Sequence, residues 1–414
     1  MILMTLDHLR DFLGNAHGDA TDLAHTTIPL FLSRWITHFC APTFFFLAGV
    51  SAYLSIQSGR RSVADAARFL AVRGVLLVVL EQTLLRCLGW YFHFDYHFMN
   101  AGVLYGLGWS MVMLSVFVRL PPAVSLGVGL AIVLGEAAIA RIDLGHGPLG
   151  TVLALATTSR DFEPVAGYHF YVSYPPIPWF GAMAFGYGLA HLAYAGVAAR
   201  RRSLLGFGVG FLAAFVAVRW LQLGEPAPWS VQHDAAFTVL SFVNVSKYPP
   251  STAYLLLTIG VALLGLAALE RRSPEPAVGG KALRGGARWL RGGRLFEAFG
   301  RVPLFFYVIH IPLIHLIAVV YSYLAFGAAT WLTSGPVIFW DTALPGSPPS
   351  YGFGLGWIYV IWAVLIAALY PACRWFAARG HRRWPSTAAT TSASTPAPPA
   401  PPPADEQQPP PLAG

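Results

Sequence analysis

Long apolar runs such as STAYLLLTIGVALLGLAALE and VPLFFYVIHIPLIHLIAVV recur along the whole chain, and they decide the fold class before anything else. Crossing a hydrocarbon core about 30 Å thick takes roughly 20 apolar residues of helix. Inside that core each backbone polar group must find its partner within the protein, so only helices and closed barrels span it. The runs here are continuous and do not alternate, which argues against a barrel. The chain is therefore expected to be all-α, a polytopic membrane protein built as a bundle of about ten transmembrane helices. Charged residues make up only 11% of it, against about 25% in soluble domains.

The spans are expected near 1–14, 28–56, 69–93, 101–119, 122–141, 177–198, 203–223, 251–269, 302–326 and 354–376. At 1.5 Å per residue the first rises only about 21 Å, short of a crossing. That helix is expected to stop part-way or to begin upstream of Met1. Most of the 27 Lys and Arg fall on one side when the spans alternate: Arg60, Arg61, Arg68 and Arg73, then Arg119, then Arg200, Arg201 and Arg202, then the linker from Arg271 to Arg301, and finally Arg374, Arg379, Arg382 and Arg383. This side is expected to be cytoplasmic. The bias also explains the net charge of +8 without nucleic acid.

The opposite side carries three long connections, 142–176, 224–250 and 327–353, rich in aromatics, Pro and Gly, as in YHFYVSYPPIPWF and NVSKYPPS. Loops of that length are often functional. Residues 1–380 are expected to form one membrane domain, and 381–414 a disordered Pro/Ala-rich cytoplasmic tail. Cys40, Cys87 and Cys373 show no metal spacing and imply no disulfide framework. The start shows no basic segment or cleavage site of a signal peptide.

Ionisable groups inside a span are costly and normally face the bundle interior. The first span holds Asp7, His8, Arg10 and Asp11. Residues three and four apart share a helix face, so Asp11 can reach His8, while Asp7 can reach Arg10 and Asp11. A carboxylate on one ring nitrogen would fix the tautomer and leave the other as a base. The competing reading puts this end of the span at the wet interface. In LFLSRWITHFCAPTFFFLAG, Arg34 and His38 are four apart, and Pro42 frees a carbonyl near His38 that needs a partner. Arg34 is expected to neutralise Asp7 or Asp11 across a helix contact, as chemistry or as a structural ion pair.

Glu81 and Arg86 fit one face badly and carry no assigned chemistry. His310, in GRVPLFFYVIHIPLIHLIAVV, lies near mid-membrane and His315 nearer the outer side. Each is a site residue or a packing residue. His93, Asp95 and His97 have the types to hold a metal at an aqueous edge, although an interfacial aromatic belt explains YFHFDYHF as well. The outer aromatics Tyr174, Trp179, Trp229 and Tyr248 suit sugar or headgroup stacking, again with a belt as the alternative. No P-loop, HExxH or nucleophile-elbow motif is present, and no metal is expected.

Taken in order, MILMTLDHLRDFL, TDLAHTTIPLFLSRWITHFCAPTFFFLAG, YPPIPWFGAMAFGYGL, KYPPSTAYLLLTIG and GRVPLFFYVIHIPLIHLIA resemble bacterial membrane proteins of the DUF1624 family. That family is grouped with the catalytic domain of heparan-α-glucosaminide N-acetyltransferase. The resemblance covers about residues 1–380. It implies a transmembrane acyltransferase of the bacterial inner membrane. Such an enzyme passes an acetyl or other acyl group from cytoplasmic acyl-CoA to a sugar amine or hydroxyl on the far side. Many members of the wider superfamily carry an Arg eleven residues before a first-span His. His8 stands at that His, which places the Arg ahead of Met1. The resemblance also points at His17 or His25 as counterparts of the lysosomal enzyme's catalytic His.

On this reading His8, oriented by Asp11, is the general base, with Asp7, Arg34 and His38 completing the catalytic set. Arg10, His310, Trp179 and Tyr248 are expected to bind substrate. Arg34, Arg10 and His38 are the candidates for holding the oxyanion. The expected partners are the bilayer, acyl-CoA (acetyl-CoA) and a carbohydrate or glycolipid acceptor, with a homodimer allowed. The rival class is a proton-linked transporter using the same buried charges.

Overall fold

The computed structural model describes residues 1–15, 18–139, 141–142, 147–193, 197–223, 225–270, 290–334 and 346–383. His17, most of the basic linker and the tail from residue 384 lie outside them. Each of the ten expected spans is helical. The first is α1, Ile2–Leu13. The second runs through α2, Ile28–Trp35, a 3₁₀ turn at Ile36–Phe39, and α3, Cys40–Gln57. The third joins α4, Val63–Leu80, to a π-helical stretch, Glu81–Trp90. After a short strand β1, Phe98–Ala101, come α5, Val103–Phe117, α6, Pro122–Ile139, and a short α7, Pro148–Thr157.

Strands β2, Asp161–Val165, and β3, Tyr168–Val172, lead into α8, Pro176–Ala193. The rest is α9, Val197–Trp220, α10, Ala235–Val243, α11, Thr252–Glu270, α12, Leu290–Gly300, α13, Pro303–Phe326, α14, Thr330–Thr333, and α15, Leu355–Arg383. Among the described residues six helical stretches are long and apolar enough to cross a membrane: Ile28–Gln57, Pro122–Ile139, Ala198–Trp220, Thr252–Leu269, Pro303–Phe326 and Leu355–Arg379. Helix α1, at 12 residues, is short, as its sequence requires.

Helix α8 is the axis of the bundle. Nearly every residue from Pro178 to Ala190 is buried, which its all-round apolar sequence and its small residues allow. A Cβ on Gly186 would collide with the Phe46 carbonyl, and one on Gly49 with the Met183 carbonyl, so α3 and α8 touch backbone to backbone. Gly74 and Gly108 bring α4 and α5 together in the same way.

The described parts of the long connections gather at one end of the bundle. Strand β3 pairs parallel with β1 and antiparallel with β2, a small sheet that the apolar patterning did not announce. It ties the connection after the π-helical stretch to the one before α8, and Tyr174 N–H donates to the Ala101 carbonyl at 3.1 Å. Asn244 Nδ2 donates to the Thr21 carbonyl at 3.0 Å. Helix α1 is pinned at both ends. Trp362 Nε1 donates to the Ile2 carbonyl at 2.8 Å, and Tyr351 Oη to the Phe12 carbonyl at 2.7 Å; the latter satisfies a carbonyl that the helix end leaves unpaired. Gly352 packs against Gly14 at φ +95°, where both the backbone and the lack of space demand glycine.

Candidate active site

A cleft of about 900 Å³, mouth included, opens among the first spans and the loops at that end. Its walls are Met4, Asp7, His8 and Asp11 of α1, then Arg34, Thr37, Cys40, Ala41 and Phe44 of the second span. Trp90 and Tyr91 come from the end of the π-helical stretch and Tyr307 from α13. Phe98, Asn100, Gly102, Val103, Ser173, Tyr174, Lys247 and Tyr248 close the loop side.

Asp7 is the electrostatic centre. Arg10 Nη2 donates to its Oδ1 at 2.6 Å, and Arg34 Nη1 to its Oδ2 at 2.5 Å. The expected bond between the first two spans therefore forms on Asp7. Arg10 Nη2 also reaches Asp11 Oδ1 at 2.9 Å. Two carboxylates and two guanidinium groups cancel, and Lys247 leaves the cleft one positive charge in excess. Lys247 lies over the rings of Tyr248 at 5.0 Å and Tyr174 at 6.0 Å. Burial works to raise the Tyr248 hydroxyl pKa, but Lys247 and Arg34 outweigh it and hold the group below its usual value.

His8 turns its Nδ1 to His310 Nε2 at 3.0 Å, not to Asp11. The two rings are nearly coplanar, at 18°, and the edge of Trp90 packs on His8 at 5.3 Å. His310 is fully buried, and its Nδ1 donates to the Phe306 carbonyl at 2.9 Å. The expectation that Asp11 orients His8 is thus corrected. The long side chain of Arg10 folds back and takes the carboxylate. His310 is likewise corrected from a substrate ligand to the partner of His8.

Three further expectations fail for local reasons. The 3₁₀ turn winds three residues per turn, so Arg34, Thr37 and Cys40 face the cleft and His38 turns away. Its ring packs on Tyr254 at 5.5 Å, and it does not line the cleft. Tyr254 Oη donates to the His38 carbonyl at 2.8 Å, filling the acceptor that Pro42 frees. Trp179 is fully buried behind Tyr174, ring centroids 4.9 Å apart, and supports that residue without reaching the cleft. Arg10 sits behind the carboxylates and off the cleft wall.

Other polar residues are structural. Glu81 accepts from Leu104 N–H at 2.9 Å and so caps α5. Arg86 donates to the carbonyls of His93, Asp95 and Phe98. Both nitrogens of His315 face carbonyls, Gly89 at 2.8 Å and Leu332 at 2.9 Å, and the residue does not line the cleft. His97 pairs with Asp95 on the exposed rim, and among the described residues no cluster suits a metal ion. His25 is exposed on Asp22, off the cleft. Trp229 packs on Trp220 at 5.9 Å, also off it. Lys247, Asn100 and Ser173 had no separate signal in the sequence. They reach the cleft only because β1, β3 and the turn before α11 converge there.

Residues 1–221 match the family described as "Heparan-alpha-glucosaminide N-acetyltransferase, catalytic". The chain belongs to this family. No curated protein and no solved structure matches it. The segment matched to the heparan-alpha-glucosaminide N-acetyltransferase family runs from α1 to the end of α9 and supplies His8, Asp7, Asp11 and Arg34. Lys247, Tyr248 and Tyr307, which complete the cleft, and His310, which backs His8, lie beyond it.

Proposed function

We propose that this protein is a membrane-embedded acyltransferase that moves an acetyl or other acyl group from acyl-CoA to an amine or hydroxyl of a carbohydrate or glycolipid acceptor. Membership of the family supports the reaction class. The observation that carries the site is His8, which lines the cleft with one ring nitrogen engaged by His310 and the other without a hydrogen-bond partner among the described residues.

His8 Nε2 takes the proton of the acceptor as its nitrogen or oxygen bonds to the thioester carbon. Arg34 keeps N–H groups beyond the one spent on Asp7, and these face the oxyanion that forms. As the carbon–sulfur bond breaks, the His8 proton passes to the leaving thiolate, which balances the reaction. The mouth places Lys247 among Tyr174, Tyr248, Asn100 and Ser173, a setting for an acceptor that carries a negative group beside its sugar ring. The basic ends of the helices, with Arg60, Arg61 and Arg200 to Arg202, support a cytoplasmic side for the donor and for the C-terminus of α15 in a bacterial inner membrane. A transporter would favour interrupted helices at matching places in two halves. Here the 3₁₀ and π interruptions fall in consecutive spans.

The test is incubation of the purified protein with radiolabelled acetyl-CoA and a panel of amino sugars. Label transfer that is lost in His8→Ala and kept in Trp229→Ala is the expected result. Failure to bind or turn over acetyl-CoA, with dissipation of a solute gradient in liposomes, overturns the proposal.

A further inference from the structure

We infer that His310 is a positioning residue: it holds the proton of His8 on Nδ1 and so presents the Nε2 lone pair to the cleft, the part a carboxylate plays in an Asp–His pair. The inference rests on the acyltransferase reading of the same site, and it follows from the direction of two hydrogen bonds. A carbonyl oxygen can only accept, so His310 Nδ1, 2.9 Å from the Phe306 carbonyl, carries a hydrogen. His310 has no carboxylate partner among the described residues and is fully buried, with the Phe306 ring stacked 4.9 Å away. A charged imidazolium there would be unpaired in a dry site, so the ring is neutral and its Nε2 bears a lone pair. That lone pair faces His8 Nδ1 at 3.0 Å. The shared hydrogen therefore belongs to His8 Nδ1, and His8 Nε2 is left unprotonated on the cleft side.

The two carboxylates beside His8 do not do this work: both bind guanidinium groups, and His8 Nδ1 is turned to His310. When His8 takes a proton on Nε2, its Nδ1–H still points at a neutral acceptor. The Nδ1 proton stays on His8, because a charged His310 would be unpaired in its dry site, and the positive charge rests on His8, next to Asp7 in α1. No atom moves far, and the tautomer that receives the next acceptor is restored when the proton leaves with the thiol.

Two experiments test this, and they fail separately from the acyltransferase reading. In protein carrying nitrogen-15 histidine, with His8→Gln used for assignment, the His8 resonances should show a protonated Nδ1 and an unprotonated Nε2. The reverse pattern overturns the inference whatever the activity, and this measurement needs no acetyl-CoA. In acetyl transfer, His310→Phe keeps ring volume but offers no acceptor. It should lower kcat by about 100-fold, the low end of what general base catalysis contributes, with KM little changed and the pH profile displaced. His310→Gln offers an amide oxygen to the Nδ1–H and should recover most of that loss. A Gln variant as impaired as Phe, or a Phe variant as active as wild type, would show that His310 only fills space.

Discussion

Asp7 holds two guanidinium groups from two helices, and its energetics are those of a buried network. Breaking a buried pair by removing one partner costs about 3–5 kcal/mol, because the other charge is left uncompensated. Arg34→Ala should therefore destabilise the protein by about 3 kcal/mol, and Asp7→Ala by a similar amount. The double variant should cost less than the sum by about 0.5–3 kcal/mol, read from unfolding in detergent. Additive costs would mean that the charges do not interact. Lys247 makes a different prediction, since it touches the cleft only at its mouth. Lys247→Met should raise KM for an anionic acceptor about tenfold, the effect of losing about 1.4 kcal/mol of ground-state contact, while kcat stays near wild type. A neutral acceptor should be unaffected. Spacing foretold the Asp7–Arg10 contact because three residues apart is one helix face. It failed for Asp11 and His8, because it cannot say which of two reachable partners a carboxylate takes. It could not find His310 for His8, 302 positions away.

The interruption of the second span has a chemical cause that a later helix answers. Pro42 has no N–H for the His38 carbonyl, and Tyr254 of α11 supplies the donor. Tyr254→Phe should cost about 1–2 kcal/mol, since it strands a buried acceptor. In a Pro42→Ala background the cost should shrink, because alanine restores the backbone donor. Equal costs in both backgrounds would sever the link between proline and tyrosine. The turn before α11 makes a pH prediction. Glu225 accepts from Ser246 N–H at 3.1 Å and from Ser251 Oγ. Burial raises its pKa above the usual carboxylate value, against the opposing pull of Ser251, Ser246 and Arg219. In the window above about 4.3, the unfolded value, the folded protein then binds more protons than the unfolded chain, so stability falls as pH rises. Melting at pH 5 and pH 8 should show a smaller decline for Glu225→Gln than for wild type. An unchanged slope would place the pH dependence elsewhere. The long helices were legible because apolar runs of that length have one solution in lipid. The 3₁₀ turn and the π-helical stretch were not, and they decide which side chains enter the cleft.

At the scale of the whole molecule the site is assembled from segments that share no periodicity: one face of α1, the second span around its 3₁₀ turn, the first turns of α13, the strands β1 and β3 with their flanks, and the turn before α11. Charge bias and hydropathy therefore foretold a bundle with an aromatic-rich end, while the small sheet and the Lys247 contact were hidden in loops without a pattern. The frame that holds these parts in register is the contact between α3 and α8. Apolar attraction between helices is weak in lipid, and close backbone approach takes its place. A bulky side chain at Gly186 would meet the Phe46 backbone, which cannot retreat without moving α3 and with it Arg34. Gly206 of α9 has nothing within 4 Å of its would-be Cβ. Gly206→Ala should then leave activity unchanged and add about 0.5–1 kcal/mol, the helix-propensity gain over glycine. Gly186→Val should lower both melting temperature and acetyl transfer. If Gly186→Val were as harmless as Gly206→Ala, the two helices could separate without disturbing Arg34, and the cleft would owe its geometry to the loops alone.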